Sequence, residues 1–155
     1  FGTLKLTENP SFNIDVKPSQ NNKQFLNLNT YFSDGPNGKK TVLFILDAIV
    51  DNIKTSFIVD TGADEIGIGL KTEAGQKLVM KSIPDKKKIG GITGKPEEAR
   101  VVPQAIVKVL GRDLTMKIHL HPIGREMAAD GMLGMNFLKN CTLVLALKTG
   151  SIYCP

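Results

Sequence analysis

Asp60 stands at the end of an apolar, β-branched run, residues 53–59, and is followed by Thr61, Gly62 and Ala63. A carboxylate delivered by a buried strand and followed by such a loop projects into a cleft, with Phe57, Ile58 and Val59 holding it from behind. Gly62 lets the chain turn sharply and lets another backbone come close. The Thr61 hydroxyl, both donor and acceptor, is expected to lock the loop. The chemistry open to this group is acid–base work on water, which needs a second carboxylate to share one proton, since two like charges a few ångströms apart do not both ionise cheaply. The chain has one Asp-Thr-Gly and no Asp-Ser-Gly. By itself the tripeptide equally suits a structural turn after a strand.

The elements that must position Asp60 are short and extended. Residues 41–50 and 53–59 read as a β-hairpin around Asp51-Asn52. Residues 71–81 allow a short helix capped by Thr72 and weakened by Gly75. Ile89-Gly90-Gly91-Ile92-Thr93-Gly94 is a glycine-rich loop between extended stretches, and residues 100–110 and 112–120 predict strands meeting at Gly111. Asp130-Gly131 marks a turn, Met132-Leu133-Gly134 leads into a helical stretch over 135–140, and residues 142–147 and 151–153 form a last hairpin. Asp130 reads as a turn residue rather than a second catalytic acid. The class is all-β.

The order of these features carries more than any one of them. The apolar strand, Asp60-Thr61-Gly62-Ala63, the glycine-rich hairpin and Met132-Leu133-Gly134-Met135-Asn136-Phe137-Leu138 resemble the retropepsin-like aspartic protease family over residues 41–153. The segment 131–138 is most similar to cellular and bacterial members. The resemblance implies a closed β-barrel or sandwich with a flap hairpin and one short C-terminal helix, the protease domain spanning 41–155. It implies that Asp60 is the catalytic residue, supported by Thr61, Gly62 and Ala63, and that Gly90, Gly91, Ile92, Thr93 and Gly94 form a flap over the substrate with Ile92 at its tip. Leu133 and Gly134 would be the apolar-plus-glycine motif before the helix. With a single motif, the second carboxylate would come from Asp60 of an identical subunit through a self-complementary interface. The implied activity is endopeptidase cleavage of extended peptides, blocked by statine-type mimics or retroviral protease inhibitors. A catalytically silent dimerisation or peptide-binding domain is the alternative. Asp64 matches a position that holds substrate backbone in retroviral relatives and there meets an Arg; here that Arg position is Met135, so the usual charge pair is missing.

Other features narrow the field. The formal charge is +5, and Lys86, Lys87 and Lys88 form the one basic triplet, without interleaved aromatics. A solvated loop accounts for it better than nucleic-acid binding. His119 and His121 share a strand face but have no surrounding ligand cluster, so structural or exposed histidines are expected, with no metal and no cofactor. Cys141 and Cys154 flank the last hairpin; free thiols are the preferred reading, with a disulfide between them as the alternative. The apolar run 42–50 is interrupted by Asp47 and too short to span a bilayer, so no membrane contact is expected from this segment. Residues 1–40, rich in Asn, Lys and Ser but with short alternations such as Leu26/Leu28, predict a β-rich extension or linker. The chain starts at Phe1 rather than Met, which suggests a cut or mature form of a soluble domain, periplasmic or tethered through a segment upstream.

Overall fold

Two left-handed turns set the frame of the computed structural model, which describes residues 24–34, 38, 40–85, 89–90, 96–97, 99–122 and 128–155. Asp51 and Asn52, at φ 49° and 69°, join β2 (Lys40–Val50) to β3 (Ile53–Val59). Leu110 and Gly111, at φ 53° and 73°, join β8 (Arg100–Val109) to β9 (Arg112–His121). Two successive residues in this region match the right-handed twist of the flanking strands, so both connections close as tight two-residue hairpins. Val50 faces Ile53 and Val109 faces Arg112. Leu110 adopts a conformation costly for its type, and its side chain packs against the core. In β8 the register shifts between Val102 and Ala105. Pro103, which has no N–H to give to a ladder, sits at that irregularity.

Ten strands form one sheet in the order β11-β12-β1-β2-β3-β10-β4-β9-β8-β5, and a further β2–β8 pairing brings the run from β2 to β8 back on itself. Here β1 is Leu26–Asp34, β4 Gly67–Gly69, β5 Ile83–Pro84, β10 Gly131–Leu133, β11 Thr142–Leu145 and β12 Gly150–Tyr153. The strand β1, from the segment expected to be an extension, is hydrogen-bonded between β12 and β2. The three residues of β10 lie between β3 and β4, parallel to the first and antiparallel to the second. Phe57, Ile66, Ile68, Leu78, Ile118, Leu120 and Leu133 are fully buried where these strands meet. The helix α1 (Glu73–Val79) has the predicted cap, with Thr72 Oγ1 accepting from Gly75 N at 3.0 Å. The second helix, α2 (Met135–Leu138), is one turn long. No described helix is long and apolar enough to cross a membrane.

The cysteines correct the expectation of free thiols. Cys141 and Cys154 form a disulfide with their Cα atoms 4.2 Å apart. The error lay in the register. In the β11–β12 hairpin Thr142 faces Tyr153 and Leu145 faces Gly150, so the next pair outward is Cys141 opposite Cys154. The bond closes a loop with a sequence separation of 13. For loops of this size a disulfide contributes about 3 kcal/mol, chiefly by restricting the unfolded chain. Replacing both cysteines by serine is therefore expected to lower urea-unfolding stability by about 3 kcal/mol; an unchanged midpoint would show that the bond adds nothing.

Candidate active site

Asp60 is the first residue beyond β3, and its placement begins with backbone pairing. β3 and β10 run in parallel, with Val59 opposite Leu133. The Asp60 N–H extends this by donating to the Leu133 carbonyl at 3.2 Å. The chain then folds over its own carboxylate, for Gly62 N donates to Asp60 Oδ1 at 2.8 Å and Ala63 N to the Asp60 carbonyl at 3.3 Å. Asp60 is half-buried, while Thr61 and Gly62 are exposed. Loop closure thus falls to the Asp60 carboxylate; among the described residues the Thr61 hydroxyl makes no hydrogen bond. A Cβ on Gly62 would stand 3.2 Å from Asp60 Oδ1, so the bare glycine keeps the carboxylate where it is.

The far half of the loop is fastened by α2. Met135 N donates to the Ala63 carbonyl at 2.7 Å and Asn136 N to the Asp64 carbonyl at 2.9 Å. The first N–H groups of any helix lack partners within it, and here two of them hold the loop. This brings Gly134 against backbone: a Cβ there would lie 2.5 Å from the Glu65 carbonyl oxygen and 2.8 Å from that of Ala63. Leu133 and Gly134, singled out in sequence, are therefore brought directly to the Asp60 loop. Asp64 is exposed and enters through its carbonyl; its side chain has no ion pair among the described residues, and Met135 lies exposed nearby in the same contact.

Asp130 is a fastening residue, in keeping with its reading as a turn. Its Oδ2 accepts from Ser56 N at 2.9 Å and Ser56 Oγ at 3.1 Å, and its carbonyl accepts from Gly69 N at 2.8 Å. The strands on either side of β10 are thereby joined at its start. Of the glycine-rich hairpin, Gly90 belongs to β6 (Ile89–Gly90), which pairs with β7 (Pro96–Glu97). Gly91, Ile92, Thr93 and Gly94 lie outside the described residues. A concavity of about 770 Å³ lined by Asp47, Lys54, Lys108 and Arg112 includes none of the Asp60 loop.

Sequence reasoning missed one cluster. His119 is buried, its Nε2 in ion-pair contact with Glu65 and its Nδ1 3.2 Å from Asp85 Oδ2. The backbone N–H of His119 donates to the Ile66 carbonyl at 3.1 Å. His121 stacks on it with ring centroids 6.2 Å apart. Burial first, then repulsion from His119, pushes the His121 ring below the usual histidine range, and Glu65 partly offsets this. The three contact residues Glu65, Asp85 and His119 are far apart in the chain, so no spacing pattern joins them. The one hint is that Glu65 follows the Asp60 motif so closely.

Comparison with known proteins bears on the fold. No protein-family model matches the chain. No curated protein matches it by sequence either. Among solved structures, a retropepsin-like aspartic protease from Rickettsia conorii aligns with a TM-score of 0.54 at 22% identity, covering 82% of this chain and 92% of that one. EIAV protease complexed with the inhibitor HBY-793 aligns at 0.49 with 20% identity, covering 65% and 91%. The retroviral protease-like domain of Ddi1 from Leishmania major aligns at 0.46 with 16% identity, covering 76% and 94%. The first of these likenesses establishes the fold, which is retropepsin-like.

Proposed function

We propose that this chain, built on the retropepsin-like fold, is one half of a homodimeric aspartic endopeptidase whose active site joins Asp60 of two copies. The observation that carries this reading is the double fastening of the Asp60 loop, to Leu133 on one side and to the first N–H groups of α2 on the other. Such a frame fixes a carboxylate ahead of the reaction, which is what positional and electrostatic catalysis require. Two Asp60 carboxylates across a two-fold axis share one proton. The ionised one takes a proton from water as that water attacks the scissile carbonyl carbon, and the protonated one donates to the carbonyl oxygen. The tetrahedral intermediate then collapses: the protonated carboxyl gives its proton to the leaving amine, one hydroxyl of the intermediate returns its proton to the other carboxylate, and the C–N bond breaks to leave an acid, an amine and a dyad that again holds one proton.

The β6–β7 pairing supports a hairpin stem at the place expected for a flap. In this reading residues 90–94 close over the peptide and exclude water, Asp64 contacts its backbone, and recognition is by strand-like pairing with pockets at alternate side chains. The protease domain in this reading is residues 41–155 together with β1, the part of the expected extension that pairs with β2 and β12. Purified protein is expected to cleave members of a peptide library somewhere between acidic and neutral pH, with a rate per chain that falls on dilution as dimers separate. A stable dimer that cleaves nothing across that range would favour a silent binding domain instead.

A further inference from the structure

The buried histidine touches two parts of the molecule that a peptidase must keep in register. Glu65 belongs to the loop that starts at Asp60, and Asp85 follows β5 on the way to the hairpin stem at Ile89. Asp85 is itself anchored, its N–H donating to the Ala99 carbonyl at 2.7 Å. The side chains of His119 and Asp85 are 4% and 11% exposed, that of Glu65 45%. A ring this enclosed, set against two carboxylates, is costly unless the charges compensate.

The proton count follows from the contacts. Neither contact is aligned as a hydrogen bond, yet both are short approaches of a ring nitrogen to a carboxylate oxygen. Each is repulsive unless a proton lies on one of the two atoms. A neutral imidazole has one N–H, so two such contacts require one proton more. Imidazole is ordinarily more basic than a carboxylate, which puts the extra proton on the ring. Among the described residues three titratable groups are seen against or beside the ring. Glu65 faces the ring from the loop, Asp85 from the segment after β5, and His121 from β9 itself. On β8, Arg100 is held by Ser82 through its Oγ at 2.7 Å and its carbonyl at 2.9 Å. The β4 residue opposite His119 is Gly67, which brings no charge.

We propose that His119 is a positioning residue: holding a proton on each ring nitrogen, it clamps the Asp60 loop, through Glu65, to the segment entering the glycine-rich hairpin, through Asp85. When the extra proton leaves, one contact turns repulsive, and Glu65, the more exposed partner, swings toward water. The clamp then opens, and the loop carrying Asp60 loses its tie to the hairpin base. The kinetic consequence rests on the peptidase reading; the clamp itself does not.

Glu65→Gln is the informative variant. Its amide can donate to a ring nitrogen while the single ring N–H serves Asp85, so the clamp no longer needs the extra proton. Wild-type kcat is expected to fall on the alkaline side with KM little changed, and Glu65→Gln is expected to hold its kcat to higher pH. His119→Phe, which removes both contacts, is expected to lower kcat about tenfold or more across the range. Because that variant replaces a buried group and can fail to fold, ring ¹⁵N NMR supplies a second readout. The chain has two histidines, and His121→Gln assigns them. The second N–H of His119 is expected to be lost at lower pH in Glu65→Gln than in wild type. Loss at the same pH in both proteins, or a single N–H on wild-type His119 wherever the enzyme works, overturns the clamp. A shifted ring in a protein that cleaves no peptide overturns the peptidase reading alone.

Discussion

Asp60→Asn is expected to abolish peptide cleavage, lowering kcat by about 10³-fold or more, while leaving fold and dimer intact. The substitution keeps the shape of the side chain and an oxygen that can still accept from Gly62 N, so the loop has no reason to move. In the proposed mechanism it removes the group that takes a proton from water and passes one to the carbonyl. In a symmetric dimer it removes that group from both sides of the dyad at once. Kinetics on the variant, with its unfolding temperature as control for folding, makes the comparison. Cleavage at the wild-type rate by a purified Asp60→Asn protein would remove Asp60 from the mechanism.

The second large effect is expected from Gly134→Ala, one methyl group away from the native chain. The added carbon would lie 2.5 Å from the Glu65 carbonyl oxygen and 2.8 Å from that of Ala63. Both are backbone atoms, so no rotamer change relieves the clash; α2 and the Asp60 loop must separate. That stretches the bonds from Met135 N and Asn136 N that hold residues 63 and 64. Overpacking of this kind costs about 1–3 kcal/mol, and a displacement near 1 Å at a catalytic group can cost about 10²-fold in rate. We therefore expect a lower unfolding temperature together with a kcat loss out of proportion to it. Wild-type stability and activity would mean that Gly134 does not set the position of the loop.

Local signals in the sequence translated well where a few adjacent residues dictate geometry. The Asp51-Asn52 turn, the strands meeting at Gly111 and the Thr72 cap are all governed by neighbours in the chain, and each is found as the pattern predicts. The link between the Asp60 loop and Leu133-Gly134 was legible only through resemblance. Its physical basis is a strand of three residues, β10, too short to show any period. The Cys141–Cys154 bond depended on hairpin register, which a one-position misjudgement is enough to hide. His119 gave least away, because alternation along β9 says which face a side chain takes but not what another segment puts there. It came to light only once Glu65 and Asp85 were seen against the same ring.

The central claim is that one active site takes Asp60 from two chains. Mixing wild-type protein with a growing excess of Asp60→Asn protein, at fixed wild-type concentration and with time for subunits to exchange, tests it directly. If the site is shared, activity per wild-type chain falls in proportion to the fraction of chains still paired with a wild-type partner. If each chain carries a complete site, that activity stays constant however much variant is added, and the account is contradicted.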